Sequence, residues 1–244
     1  MLKEIKNYRG ILMIKLIKTA LPELEITPEQ EKKLQLYYQY LVKQNQIMNL
    51  TTIINEDEVY IKHFLDSGLL LKELSLSKEM TVSDVGSGAG FPGLVLKIFC
   101  PTIKLTIIEA LEKRCLFLQR LVMKLQLKNV EIIHARAEEY SREHAESFEL
   151  VVSRAVANLG VLLELVVRMV KTSGRIICYK GSNVKAELQA AQKTLSVLNL
   201  KLEKIQHETI PQLGERNICY FIKTEATSKP YPRRFNQIKK FPIG

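Results

Sequence analysis

The residues best placed to do chemistry form one run, Asp84-Val85-Gly86-Ser87-Gly88-Ala89-Gly90-Phe91-Pro92-Gly93. Glycines at Gly86, Gly88 and Gly90 remove the Cβ atoms that would hold a main chain away from a ligand. The run follows Thr81–Val85, which reads as a short buried strand, and leads into a helix expected over 91–99. In an open α/β sheet, that strand-to-helix turn is the expected ligand crevice. Glu109 ends the next apolar run, where a carboxylate can take both hydroxyls of a ribose or cap the following helix. Ala137-Glu138 follows the third run, at the place that faces the base of a bound nucleoside.

Two readings of the loop compete. Gly88, Gly90 and Gly93 fit G-x-G-x-x-G, the dinucleotide fingerprint, with Glu109 as the ribose acid of a nicotinamide-dependent oxidoreductase. Asp84, Gly86, Gly88 and Gly90 instead fit D-x-G-x-G-x-G, the loop of class I methyltransferases that use S-adenosyl-L-methionine. Position favours the second reading, because a turn starting after Val85 has Gly86 as its first glycine. Charge favours it too. A carboxylate at Asp84 repels a pyrophosphate, but it accepts from the ammonium of a methionine moiety or orients the turn.

The turn after the fourth strand reads Ser153-Arg154-Ala155-Val156-Ala157. It holds neither an Asn/Asp-Pro-Pro-aromatic grip for an exocyclic amine nor a Pro-Cys nucleophile. An acceptor that already carries a lone pair and no proton, such as guanine N7, therefore suits it, since catalysis then needs alignment and no general base. Arg154 is expected to hold a methionine carboxylate or RNA, with a structural ion pair as the alternative. Lys180, beside Gly181, is expected to meet phosphate or base, or else to be an ordinary exposed lysine. Both are read as positioning groups, and no metal ligands are expected.

The elements that must carry these residues follow from periodicity. Residues 1–78 read as helical, with Thr27-Pro28-Glu29-Gln30 as a capping box and Leu34, Tyr37, Tyr38, Leu41 and Met48 at helical spacing. A further helix is expected over 56–74. Residues 79–225 alternate strands (Thr81–Val85, Lys104–Glu109, Val130–His134, 150–153, 175–179) with helices (111–127, 159–171, 183–198). That order predicts a mostly parallel sheet covered on both faces. The pair 200–208 and 217–223 closes it as an antiparallel hairpin.

The net charge is +10, and half of it lies in 226–244, where Lys229, Arg233, Arg234, Lys239 and Lys240 meet no acid. Such a tail suits a polyanion. Deletion after Thr227 is expected to weaken RNA binding and leave cofactor affinity nearly unchanged. Lys3, Lys6 and Arg9 precede an apolar stretch, but Lys15 and Lys18 interrupt it, so it reads as an amphipathic helix and the protein as cytoplasmic. Cys100, Cys115, Cys178 and Cys219 show no C-x-x-C pair and read as reduced.

With these residues placed, the chain resembles the bacterial 16S ribosomal RNA guanine-N7 methyltransferase family, also called glucose-inhibited division protein B. The resemblance rests on Asn49-Leu50-Thr51, His63-Phe64-Leu65-Asp66-Ser67, the Asp84–Gly93 loop, Arg136-Ala137-Glu138-Glu139, Ser153-Arg154-Ala155-Val156-Ala157, Lys180-Gly181 and Tyr231-Pro232-Arg233-Arg234. It implies a class I, Rossmann-like methyltransferase fold with a seven-stranded sheet and an N-terminal helical module. It also implies methylation of a guanine N7 in a conserved small-subunit rRNA loop near the decoding centre, with cofactor contacts at Gly86, Phe91, Ala137, Glu138 and Arg154. Asn49 and His63 can then line the base pocket, or serve as a helix cap and a core histidine. Arg233 and Arg234 join Lys180 as candidate RNA contacts. The expected partner is 16S rRNA or the small ribosomal subunit, including an assembly intermediate, met by a monomer. Two other functions stay open: the nicotinamide-dependent oxidoreductase, and a non-catalytic RNA-binding factor on the same fold.

Overall fold

The computed structural model describes residues 2–211 and 213–243. Helix α1 (Leu2–Ala20) turns Met13, Ile14 and Ile17 inward and leaves Lys15 and Lys18 in solvent, so the interrupted apolar stretch is amphipathic. The side chains of Lys3, Lys6 and Arg9 lie outside the described set. Helix α2 (Pro28–Met48) starts from the expected box. The Gln30 N–H donates to Thr27 Oγ1 at 3.3 Å, and the Thr27 N–H donates to Gln30 Oε1 at 2.8 Å.

The helix expected over 56–74 is one rod of changing pitch. It comprises α3 (Glu56–Val59), a π-helical turn at Tyr60–Leu65, α4 (Asp66–Gly68) and a 3-10 turn at Leu69–Lys72. His63 lies within the π turn and is buried.

Seven strands follow: β1 (Thr81–Val85), β2 (Lys104–Glu109), β3 (Val130–His134), β4 (Phe148–Arg154), β5 (Val170–Lys180), β6 (Leu200–Ile210) and β7 (Gly214–Lys223). Between them run α5 (Gly93–Phe99), α6 (Glu112–Lys124), α7 (Ala137–Glu143), α8 (Leu159–Val166), α9 (Val184–Ala190) and α10 (Gln192–Val197), and α11 (Phe235–Lys240) lies near the end. The sheet order is β3-β2-β1-β4-β5-β7-β6, parallel except for β7. The strand order reverses between β1 and β4, which opens a crevice beyond their carboxyl ends.

Two boundaries differ from the sequence reading. The helix expected to reach 171 stops at Val166, and Val170 already pairs with Phe148 in the β4–β5 ladder. Ser173, at φ +66, and Gly174 then make an irregularity before Arg175 resumes the register. The helix expected over 183–198 is divided at Ala191.

The sheet separates two apolar clusters. On one face α1, α2, the 60–72 rod, α5 and α6 pack against Val82, Leu105, Ile107, Val152 and Ile177. Tyr179 Oη donates to Ser67 O at 2.7 Å and Gln206 Nε2 to Leu69 O at 2.9 Å, tying the rod to β5 and β6. On the other face α8 to α11 cover Val85, Ile108, Val151, Cys178 and Cys219. All four cysteines are free thiols, and burial pushes the pKa values of Cys100 and Cys219 up to about 11. The segment after β7 therefore does not hang free. Ile238 of α11 is fully buried against the second cluster.

Candidate active site

The glycine loop after β1 is held from behind by the N-terminal helices. Tyr37 of α2, fully buried, donates its hydroxyl to Ala89 O at 2.6 Å. Its ring stacks on Phe91 at 5.3 Å between centroids, and His63 stacks on the same Phe91 ring at 4.4 Å. Gly90, at φ +102, lies so close that an added Cβ would meet the Tyr37 hydroxyl oxygen. Gly86, at φ +70, passes beneath Val156, whose Cγ2 would stand 2.5 Å from a Cβ there.

Asp84 sits under the loop with no exposure. Its Oδ2 accepts from Ser87 Oγ at 2.5 Å and from the Gly93 N–H at 2.7 Å, while Oδ1 has no protein partner. Burial pushes its carboxyl up to about 6, against the pull of the Ser87 and Gly93 donors. The first N–H of α5 is thus taken by a carboxylate, where a dinucleotide fold would need it for a pyrophosphate. This is the main physical argument against the oxidoreductase reading.

Beyond the loop opens a cleft of about 1070 Å³. Its walls include Gly86 from the loop, Glu109 at the end of β2, Ala137 and Glu138 at the start of α7, Val156 after β4, and Glu187 of α9. Glu109 Oε2 accepts from the Gly88 N–H at 3.0 Å and Oε1 from the Leu111 N–H at 3.1 Å, so it both braces the loop and caps the approach to α6. Each oxygen keeps a second lone pair for a hydroxyl donor.

A loop with positive φ at three glycines, an acid with an unpartnered buried oxygen below it and a second acid on the cleft wall fit S-adenosylmethionine. The amphiphilic cofactor needs main chain at close approach and carboxylates for its ammonium and ribose.

Residues 30–219 match the family model described as rRNA small subunit methyltransferase G, GidB. The chain belongs to this family. Members named Ribosomal RNA small subunit methyltransferase G include that of Mycoplasma capricolum, 45% identical over 215 residues that cover 88% of this chain and 92% of the relative. That of Staphylococcus saprophyticus is 42% identical over 222 residues, covering 90% and 93%. Among solved structures, a SAM-dependent methyltransferase from Aquifex aeolicus superposes with a TM-score of 0.53 at 18% identity, over 71% of this chain and 97% of that one. TYW2 of M. jannaschii in complex with AdoMet gives 0.51 at 17% identity, over 62% and 72%. At that identity the likeness shows the class I fold.

In this family member the predicted residues divide. Gly86, Glu109, Ala137 and Glu138 meet on the cleft wall, and Gly88 is tied to Glu109. Gly90 and Phe91 lie behind the loop, in contact with Tyr37. Arg154 takes the ion-pair alternative. Its guanidinium turns from the cleft and donates to Asp66 Oδ2 at 2.7 Å and to Lys62 O at 3.1 Å, with His63 Nδ1 at 3.3 Å. Asp66 also accepts from Arg216 at 3.0 Å, so the arginine joins β4 to the helical rod. Lys180 is also paired within the protein. It donates to Ala157 O at 2.8 Å and Glu187 Oε2 at 2.7 Å, and its side chain is nearly buried. Arg233 is paired with buried Glu164 while Arg234 stays exposed.

Asn49 is the left-handed C-cap of α2, at φ 50, and is exposed. His63 is buried, with Nε2 3.0 Å from Thr51 Oγ1, and burial together with Arg154 pushes it down to about 3. Tyr37 and Arg216 were missed as site residues. The only available signal for Tyr37 was its place on the apolar face of α2.

Proposed function

We propose that this chain transfers the methyl group of S-adenosyl-L-methionine to N7 of a guanine in 16S ribosomal RNA. The observation that carries the reading is the convergence of Gly86, Glu109, Ala137 and Glu138 on one cleft at the strand-order reversal, in a member of an rRNA methyltransferase family. When bound, the cofactor supplies a methyl carbon made electrophilic by a sulfonium. Asp84, buried beneath the loop, fixes the glycine turn on which the methionine end lies. Glu109 accepts the ribose hydroxyls, and Ala137 with Glu138 faces the adenine.

No proton has to leave guanine N7. His63, the histidine packed against the loop, is too weak a base at its depressed value to remove one at neutral pH. Arg154 and Lys180 then act as positioning residues, keeping the β4 and β5 ends in place. The cleft lies at the upper end of the usual range for small-ligand sites, which gives room for a cofactor and an unstacked base side by side. Exposed Arg234, Lys239 and Lys240, with the excess of positive charge, serve RNA phosphates. In this reading a single copy acts on the small subunit or an assembly intermediate in the cytoplasm. Among the described residues no helix is long and apolar enough to cross a membrane.

The test uses 16S rRNA and small subunits from a strain lacking the gene, with methyl-labelled cofactor. The expected product is one N7-methylguanine in small-subunit RNA. Label on another atom, or none on RNA while the cofactor binds, would defeat the reading. Calorimetry with NAD should show no heat.

A further inference from the structure

The C-terminal segment was expected to be an RNA-binding arm separate from the cofactor. The structure fixes it in place instead. Glu164 of α8, almost wholly buried, accepts from the Arg233 N–H at 3.1 Å and from the guanidinium at 2.8 and 2.7 Å. Arg142 Nε donates to Pro232 O at 3.0 Å, and Thr194 Oγ1 donates to Ile243 O at 2.5 Å. Between these anchors, buried Ile238 holds α11 on α8. So held, Phe235, Lys239, Pro242 and Ile243 form part of the same cleft wall as Gly86, Glu109 and Ala137. The family match ends at residue 219, before this segment begins.

Its place along the cleft follows from the order of the other walls. The glycine loop takes the methionine end of the cofactor, Glu109 the ribose, and Ala137-Glu138 the base. Arg136, the residue before Ala137, places its guanidinium carbon 5.6 Å from the centre of the Phe235 ring. Phe235 therefore stands on the base side of the ribose.

We propose that the C-terminal segment is a wall of the cofactor site, with the Phe235 ring, backed by Arg136, packed against the adenosine of S-adenosylmethionine. This rests on the methyltransferase reading above. The ring offers an apolar face to a purine, and the Glu164–Arg233 pair keeps it there without any contact of its own with the ligand.

The experiment measures binding of S-adenosylhomocysteine to the full-length protein by calorimetry, with hydrogen exchange of residues 231–243 followed in parallel. Failure of the unaltered protein to bind would fall on the methyltransferase reading itself. If it binds, Phe235→Ala should weaken binding by roughly ten-fold, the loss that follows removal of one stacking face from a base. Phe235→Leu should restore part of it, and Gln237→Ala, on the exposed part of the same helix, should change nothing. Glu164→Gln should loosen the segment, seen as faster exchange, and weaken binding in the same direction. Wild-type affinity in a folded Phe235→Ala protein, or a loss confined to RNA binding, would overturn the proposal.

Discussion

The two sides of the glycine loop are built in opposite ways. Behind it, Tyr37, Phe91, His63 and Phe64 fill the space between the loop and the helical rod, and Asp66 draws Arg154 and Arg216 into the same packing. In front, short helices and a strapped C-terminal segment leave a cleft of about 1070 Å³. The filled side sets where the loop lies, and the open side sets what can lie against it. Residues on the two sides should therefore fail differently when changed, by stability behind and by affinity in front.

The largest expected effect is behind the loop. Arg154→Ala strips one partner from a carboxylate that keeps only Arg216, and should lower stability by about 3 kcal/mol in denaturant titrations. Its effect on cofactor affinity should be no more than a few-fold. A collapse of affinity at unchanged stability would break the comparison. Gly90→Ala should follow at about 2 kcal/mol, because φ +102 and the Tyr37 hydroxyl both oppose a Cβ. Gly88→Ala, with open space around its Cβ, should cost stability only about 1 kcal/mol but weaken cofactor binding more than Gly90→Ala does for each kcal/mol lost.

Acidification sharpens the comparison within the filled side. His63 sits below its ordinary 6.5, so the stability it contributes is present above that value and is lost as pH falls towards about 3. Asp84 sits above its ordinary 3.8, so its contribution runs the other way, present below 3.8 and lost as pH rises through about 6. Each gives a slope of about 1.4 kcal/mol per pH unit at most, with opposite signs, where the windows overlap. His63→Gln should leave stability rising on acidification from pH 6, and Asp84→Asn should leave it falling. Parallel curves for the two variants would mean that neither group carries the effect. Smallest of all, Arg234→Ala should weaken RNA binding and reduce its salt slope by about one, with stability unchanged. Arg233→Ala should instead lower stability, since its charge is tied to Glu164.

Local pattern carried the architecture a long way. The first three strands are legible to the residue because each is a short apolar run that stops at a charged or glycine residue. The capping box at Thr27 and Gln30 reads directly as well. The start of β5 was hidden, since Val170 and Lys171 continue an apolar helical pattern and only pairing with Phe148 makes them strand. In the site, the glycine loop and Glu109 show themselves through residue type and position. The partners of Arg154 and Arg233 were hidden for a common reason. An isolated basic residue gives no local sign of its partner, and Asp66 and Glu164 lie 88 and 69 residues away in the chain. Glu187, only seven residues from Lys180, was reachable by spacing across the turn into α9. Tyr37 looked like one more apolar-face residue because its role depends on where β1 ends.

The strand order also bears on how the chain is made. β7 is the last strand synthesised, yet it lies between β5 and β6 and supplies the hydrogen-bonding edge for both. Until residues 214–223 leave the ribosome, β6 has no ladder at all and β5 presents a bare edge on one side. A nascent chain halted before that point therefore carries five paired strands with an open border, and is the stage at which aggregation or proteolysis should strike hardest.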